Sequence, residues 1–168
     1  MKTFNLFFFI FFILSVSYSQ RKHSFEIPKN LPQKIEKFLV IGDPRTHGGM
    51  DPRVPSPYYL KLITIANKEN ADFIMIIGDL IRGYTNNVKL LKKEWDAYES
   101  ATKRFNAPAI SLIGNHDIST KIMEDYFIKR FGNRLWQSFS AGGQRLFQER
   151  GVRHSQSQKH VLKDQTAL

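Results

Sequence analysis

Cysteine is missing from all 168 residues, and this one absence excludes a disulfide framework, a thiolate metal site and a lipid-bearing cysteine behind the apolar N-terminus. Any metal held by the chain must therefore sit on His, Asp, Asn or Glu. Long apolar runs are also scarce. The longest, residues 6–14, has nine residues, about half of the ~20 needed to cross a bilayer. Lys2 precedes it and the small or polar residues 15–20 follow it, which is the make-up of a secretory leader. Ser17 and Ser19 suit the two small-residue positions of a cleavage site. The expected leader is therefore 1–19, with Gln20 as the first mature residue, a periplasmic or extracellular location and no stable membrane anchor after cleavage. Acidic residues are the minority charge, 15 against 25 Lys and Arg, for a formal net charge of +10. The basic residues are scattered and no aromatic-and-basic patch is interleaved, so nucleic acid is not an expected partner. The apolar fraction is 42%, enough for one core and too much for a disordered chain.

Residues 20–35 mix charges with Pro28 and Pro32, show no period and are expected to be a linker. From Glu36 the pattern changes. Residues 37–41 form a short run, apolar after Lys37 and stopped by Gly42, as a buried strand should. Ser56-Pro57 then opens a helix expected to reach about Asn67. A second strand, 73–77, ends in Gly78. From Val88, the positions Leu91, Trp95, Tyr98, Thr102 and Phe105 recur at steps of three and four and read as the core face of one helix. A third strand, 109–113, ends in Gly114, and a third helix is expected over 120–131 with Ile122, Met123, Tyr126 and Phe127 inward. The order βαβαβ predicts a largely parallel sheet in an α/β fold. A hairpin is expected over 136–147, around Ala141-Gly142-Gly143. The domain is thus 36–147, and residues 148–168, poor in apolar residues, are expected to be a disordered or unrelated tail.

In an open parallel sheet, ligands lie beyond the carboxyl ends of the strands. All three strands end there in a glycine and polar residues: Gly42-Asp43-Pro44-Arg45-Thr46-His47, Gly78-Asp79-Leu80 and Gly114-Asn115-His116-Asp117. One acid after one strand is ordinary turn chemistry. Three such ends, bringing Asp43, Asp79, Asn115 and His116 together, point to a bound cation. Oxygen donors with imidazole and no sulfur suit Mn, Fe, Zn or Mg. Two such ions roughly 3.5–4 Å apart can hold a phosphate, generate a hydroxide and steady the leaving oxygen. Spacing alone does not fix the reaction. Asp51 and Asp72 read as turn and cap residues.

The segments GD, GDL and GNHD, in this order and each closing a strand, resemble the calcineurin-like metallophosphoesterase family, GNHD being the most specific of the three. The resemblance implies a β-sandwich flanked by helices, of which the βαβαβ N-terminal half is present. It also implies two divalent metal ions and hydrolysis of a phosphate-ester substrate. By that likeness Asp43 binds the first metal, Asp79 bridges both and Asn115 binds the second. His116 sits beside the phosphate as a catalytic group, and Asp117 orients it.

The chain also departs from the family's pattern. Where the first segment usually has His two residues after the acid, this chain has Arg45, which stays cationic and cannot ligate a metal. Arg45 is read instead as a substrate contact, bidentate on the phosphate. His47 is the candidate to supply the missing imidazole. The later Gly-His segments are absent, and His154 and His160 lack the spacing to replace them. The chain is therefore expected to be a fragment or frame-shifted copy of a longer enzyme, inactive or slow as it stands. A partner chain that supplies the rest, or a reduced non-catalytic descendant, would account for the same pattern. The alternative function is a non-catalytic exported phosphate- or anion-binding module.

Overall fold

A computed structural model describes residues 23–28, 31, 34–135, 137–141 and 144–148, the last two stretches as backbone alone. The expected leader with its cleavage after Ser19, and residues 149–168 of the expected tail, lie outside the described residues. No helix among them is long and apolar enough to cross a membrane.

Three parallel strands, β1 (Phe38–Gly42), β2 (Phe73–Ile77) and β3 (Ala109–Leu112), lie in the order β1-β2-β3. Phe38 pairs with Phe73, and Ile77 with Leu112. Helices α1 (Pro57–Ala66), α2 (Val88–Thr102) and α3 (Lys121–Phe131) alternate with or follow the strands, and β4 (Gln137–Ala141) and β5 (Gln144–Gln148) form a separate antiparallel pair. This is the expected α/β arrangement with its hairpin. β5 includes Gln148, one residue inside the segment expected to be tail.

Local chemistry sets the helix starts. Asn87 Oδ1 accepts from the N–H groups of Lys89 and Leu90, both at 3.1 Å, and opens α2. Thr120 Oγ1 accepts from Met123 N–H at 3.3 Å and opens α3. Such caps satisfy donors that the first turn leaves without partners. Ser56 stands at the cap position of α1 but makes no cap bond, so Pro57, whose fixed φ suits a first turn, starts that helix alone.

One face of the sheet packs on the helices. Ile41, Ile74, Ile76 and Ala109 meet Tyr59 and Ile63 from α1, Leu91 and Trp95 from α2, and Met123, Phe127 and Phe131 from α3. Two expectations change here. Phe105 is buried as expected, but α2 ends at Thr102, so Phe105 packs from the turn that follows, edge-on to Tyr59. In α3 the buried residues include Met123, Phe127 and Phe131, at steps of four, while Ile122 is 44% exposed.

The largest correction concerns the expected linker. Phe25 is 0% exposed, with its ring centroid 4.9 Å from Phe127, 4.8 Å from Phe131 and 5.7 Å from Trp95. Beside it, Ser24 O accepts from Ser111 N–H of β3 at 3.0 Å, and Ser24 Oγ donates to Glu99 Oε1 at 3.2 Å. This short segment therefore covers the free edge of β3 and fills the core between α2 and α3. Leu31 and Ile35 pack on the opposite face of the sheet with Phe73 and Ile110. On that face Phe38 and Val40 stay 47% and 52% exposed. Asp72 fastens the same approach segment, accepting from Glu36 and Lys37 N–H at 2.8 and 2.9 Å.

Candidate metal centre

At the carboxyl edge of the sheet the loops after β2 and β3 are pressed together more closely than a side chain allows. A Cβ on Gly114 would lie 2.3 Å from Asp79 N, and one on Gly83, where φ is +63°, would lie 1.9 Å from the His116 carbonyl oxygen. Glycine is required at both positions because the two loops touch through their backbones. Asp43 and Asp79 each follow a strand-end glycine with φ of 51°, a left-handed conformation that Asp adopts more readily than most residues. Each turn swings its carboxylate across the strand ends.

Asp79 is the hub. Its Oδ1 accepts from His116 N–H at 3.2 Å, and its Oδ2 stands 3.7 Å from both His116 Nε2 and Arg45 Nε. Arg45 Nε donates to Asp43 Oδ1 at 2.7 Å, and Arg45 N–H donates to the Asp79 carbonyl at 3.2 Å. His116 Nδ1 lies 2.8 Å from the Arg82 carbonyl oxygen. A carbonyl only accepts, so Nδ1 carries the hydrogen and Nε2 is turned toward Asp79. The edge of the Tyr84 ring meets His116 with centroids 4.3 Å apart, and Asn115 Nδ2 donates to the Tyr84 hydroxyl at 3.0 Å.

The structure thus brings Asp43, Arg45, Asp79, Asn115 and His116 to one edge. It does not bring His47 there. His47 is exposed and its ring pairs with Tyr58 at the start of α1. The loop after Asp43 carries the imidazole outward, so His47 does not replace the histidine that Arg45 displaces.

Asp117 also departs from its expected part. It is 0% exposed, and its oxygens accept from Leu80, Ile81 and Gly114 N–H at 2.8, 3.1 and 2.6 Å. Its carboxylate locks the loop after β2 to the loop after β3, while the Arg82 carbonyl orients His116. Burial pushes the Asp117 carboxyl up to about 7, against the pull of those three N–H groups. Neither Arg82 nor Tyr84 is marked out by the sequence motifs. The signal available is Gly83, a turn residue placed shortly after the second segment.

The donors do not fit a complete two-ion centre. No group of three or more His, Cys, Asp or Glu is placed to hold a metal among the described residues. The interval between the Asp43 and Asp79 carboxylates is taken by the Arg45 guanidinium, itself a cation. Asp79 is the less closely paired of the two acids, with Arg45 Nε at 3.7 Å against 2.7 Å for Asp43.

The model of the calcineurin-like phosphoesterase family matches residues 36–160, and the chain belongs to that family. The match begins at the expected first ordered residue and runs beyond the expected boundary at 147. Among solved structures, a purple acid phosphatase from yellow lupin (Lupinus luteus) seeds aligns at 16% identity with a TM-score of 0.48, covering 78% of this chain and 27% of that one. The chain therefore spans about a quarter of that protein's length. A protein of unknown function from Aquifex aeolicus aligns at 14% identity with a TM-score of 0.33, covering 77% of this chain and 68% of its own. No curated protein matches the chain.

Proposed function

We propose that this chain carries part of the catalytic edge of an exported, metal-dependent hydrolase of phosphate esters. The observation that carries the reading is the convergence of Asp43, Asp79, Asn115 and His116 at the carboxyl ends of three parallel strands, in a member of the calcineurin-like phosphoesterase family. A divalent ion, Mn, Fe, Zn or Mg, would supply charge to hold the phosphate and polarise its oxygens. Asp79 and Asn115 are the donors for it on this reading.

The chain's own groups do the rest. His116 is fixed through Nδ1 by the Arg82 carbonyl, so Nε2 is the ring atom that faces the leaving oxygen, and it is the imidazolium, with hydrogen on both nitrogens, that has a proton there to give. Arg45 keeps its Nε on Asp43, and the remaining guanidinium N–H groups are donors for a phosphate oxygen. Asp117 contacts no substrate; it holds the two loops in register. Export rests on the composition of residues 1–19.

Hydrolysis of an aryl phosphate monoester and diester is the test, with the full chain loaded in turn with Mn, Zn, Fe and Mg. Metal-dependent release of the phenol supports the reading, slow turnover being expected from the incomplete donor set. No release with any metal, by protein shown to be folded, sinks it for this polypeptide.

A further inference from the structure

We propose that the Arg45 guanidinium takes the place of one of the two metal ions, so that the site holds at most one divalent ion per chain. The inference rests on the reading of Asp43, Asp79 and Asn115 as the metal-side groups, but it concerns the number of cations and not turnover.

The geometry points this way on three grounds. First, Arg45 Nε lies 2.7 Å from Asp43 Oδ1 and 3.7 Å from Asp79 Oδ2, so a fixed positive charge stands between the two carboxylates. A cation bridging this pair needs the same lone pairs and the same volume. Second, Arg45 is held there. Its side chain is only 22% exposed, and its own N–H is bonded to the Asp79 carbonyl at 3.2 Å, which fixes the backbone from which it reaches back to Asp43. If the guanidinium left, Asp43 would lose its hydrogen-bonded partner and Asp79 a neighbouring cation, while Asp79 would keep the His116 N–H. Third, the imidazole on Arg45's own loop, His47, is turned toward Tyr58.

Charge balance follows. Asp43 and Asp79 contribute two negative charges, and the Arg45 guanidinium returns one positive charge. Adding two divalent ions to this set would place three cationic centres around two carboxylates, with Asp117 buried and committed to backbone N–H groups. One divalent ion on the Asp79 and Asn115 side leaves the edge modestly positive, as an anionic ester requires, with one like-charged neighbour in Arg45 instead of two.

The test counts ions on the full chain. Manganese and zinc bound per chain are measured by calorimetric titration and by elemental analysis after dialysis, for the wild type, Arg45→His and Arg45→Ala. The expected result is no more than one ion in the wild type and one ion more in Arg45→His. Arg45→Ala should melt at a lower temperature than the wild type in metal-free buffer, because its two carboxylates then lack a cation, and should regain the loss when manganese is added. Two ions bound by the wild type overturn the proposal. So does an unchanged count in Arg45→His. If Arg45→Ala does not fold, the other two proteins decide. Failure of the hydrolytic reading looks different: a count that rises in Arg45→His with no ester cleaved removes the activity and leaves the inference standing, whereas cleavage by a wild type carrying two ions does the reverse.

Discussion

Asp117 Oδ1 accepts the backbone N–H of Leu80 at 2.8 Å, although the two residues lie 37 positions apart, and this bond holds two strand-end loops in register. Replacing Asp117 with Asn puts an amide NH2 against one of three N–H donors and leaves a buried donor without a partner. The expected loss is about 1–3 kcal/mol, read from urea unfolding. An unchanged midpoint would show that the loops are held by other means.

The same carboxyl sets a pH dependence. Burial raises Asp117 from 3.8 to about 7 in the folded chain, so the folded state holds the proton more tightly than the unfolded state. Its contribution to stability is therefore complete below about pH 4 and is lost as the pH rises to about 7. Burial also raises Glu94 and Glu99, with the same sign. Stability of the wild type should fall across this window, and Asp117→Asn should make the fall shallower without abolishing it. Unfolding free energies at about pH 4.5 and about pH 7.5 give the comparison; equal slopes in the two proteins would refute the assignment.

Phe25 tests whether the segment beyond the expected leader belongs to the core. Truncating a fully buried aromatic costs about 3–5 kcal/mol, and Phe25→Ala empties the space shared with Trp95, Phe127 and Phe131. Denaturant unfolding should show that loss. A change below about 1 kcal/mol would return the segment to the status of a linker.

Much of this architecture is legible in the sequence. Buried parallel strands are near-continuous apolar runs, and each of the three here stops at a glycine, which places β1, β2 and β3 together with the edge where their polar ends meet. What is not legible depends on contacts between distant residues. Phe25 is a lone aromatic in a charged stretch with no period, and its burial is decided by Trp95 and Phe127, about 70 and 100 residues away along the chain. Adjacency makes Asp117 look like a partner for His116, yet its oxygens face backbone N–H groups that no sequence pattern displays. His47 lies two residues beyond Arg45, and only the path of the loop shows that its ring turns to Tyr58. Tyr84 has a φ of 49°, a conformation rare for its type, so propensity gives no hint that it stands over His116.

Close packing of the strand ends gives a sharper stability test. A Cβ on Gly114 would sit 2.3 Å from Asp79 N and 2.4 Å from Asp79 Oδ1, whereas one on Gly48 meets nothing within 4 Å. Gly114→Ala should therefore displace Asp79 and cost more than about 2 kcal/mol, with Gly48→Ala within about 0.5 kcal/mol of the wild type. Thermal melts of the two variants make the comparison, and equal melting temperatures would show that the loops are free to separate.

Tyr84 and His47 together separate a group that orients a donor from one that merely lies on a neighbouring loop. Asn115 Nδ2 donates to the Tyr84 hydroxyl at 3.0 Å, which engages the nitrogen end of the amide, and on the proposed reading Oδ1 is the acceptor for a cation. Tyr84→Phe removes the hydroxyl and keeps the ring beside His116, so the amide becomes free to turn. Tyr84 is 62% exposed, and little folding stability depends on it. Loss of a partner that orients a ligand typically weakens metal binding by about 10–100-fold. Calorimetric titration with manganese should show a drop of that order in Tyr84→Phe with an unchanged melting temperature of the metal-free protein. His47→Ala should leave the manganese affinity where it is, because the imidazole faces Tyr58 and not Asp43. The reverse pattern, with affinity lost in His47→Ala and kept in Tyr84→Phe, would mean that the loop after β1 swings inward when the cation binds and that Asn115 needs no help in presenting its oxygen.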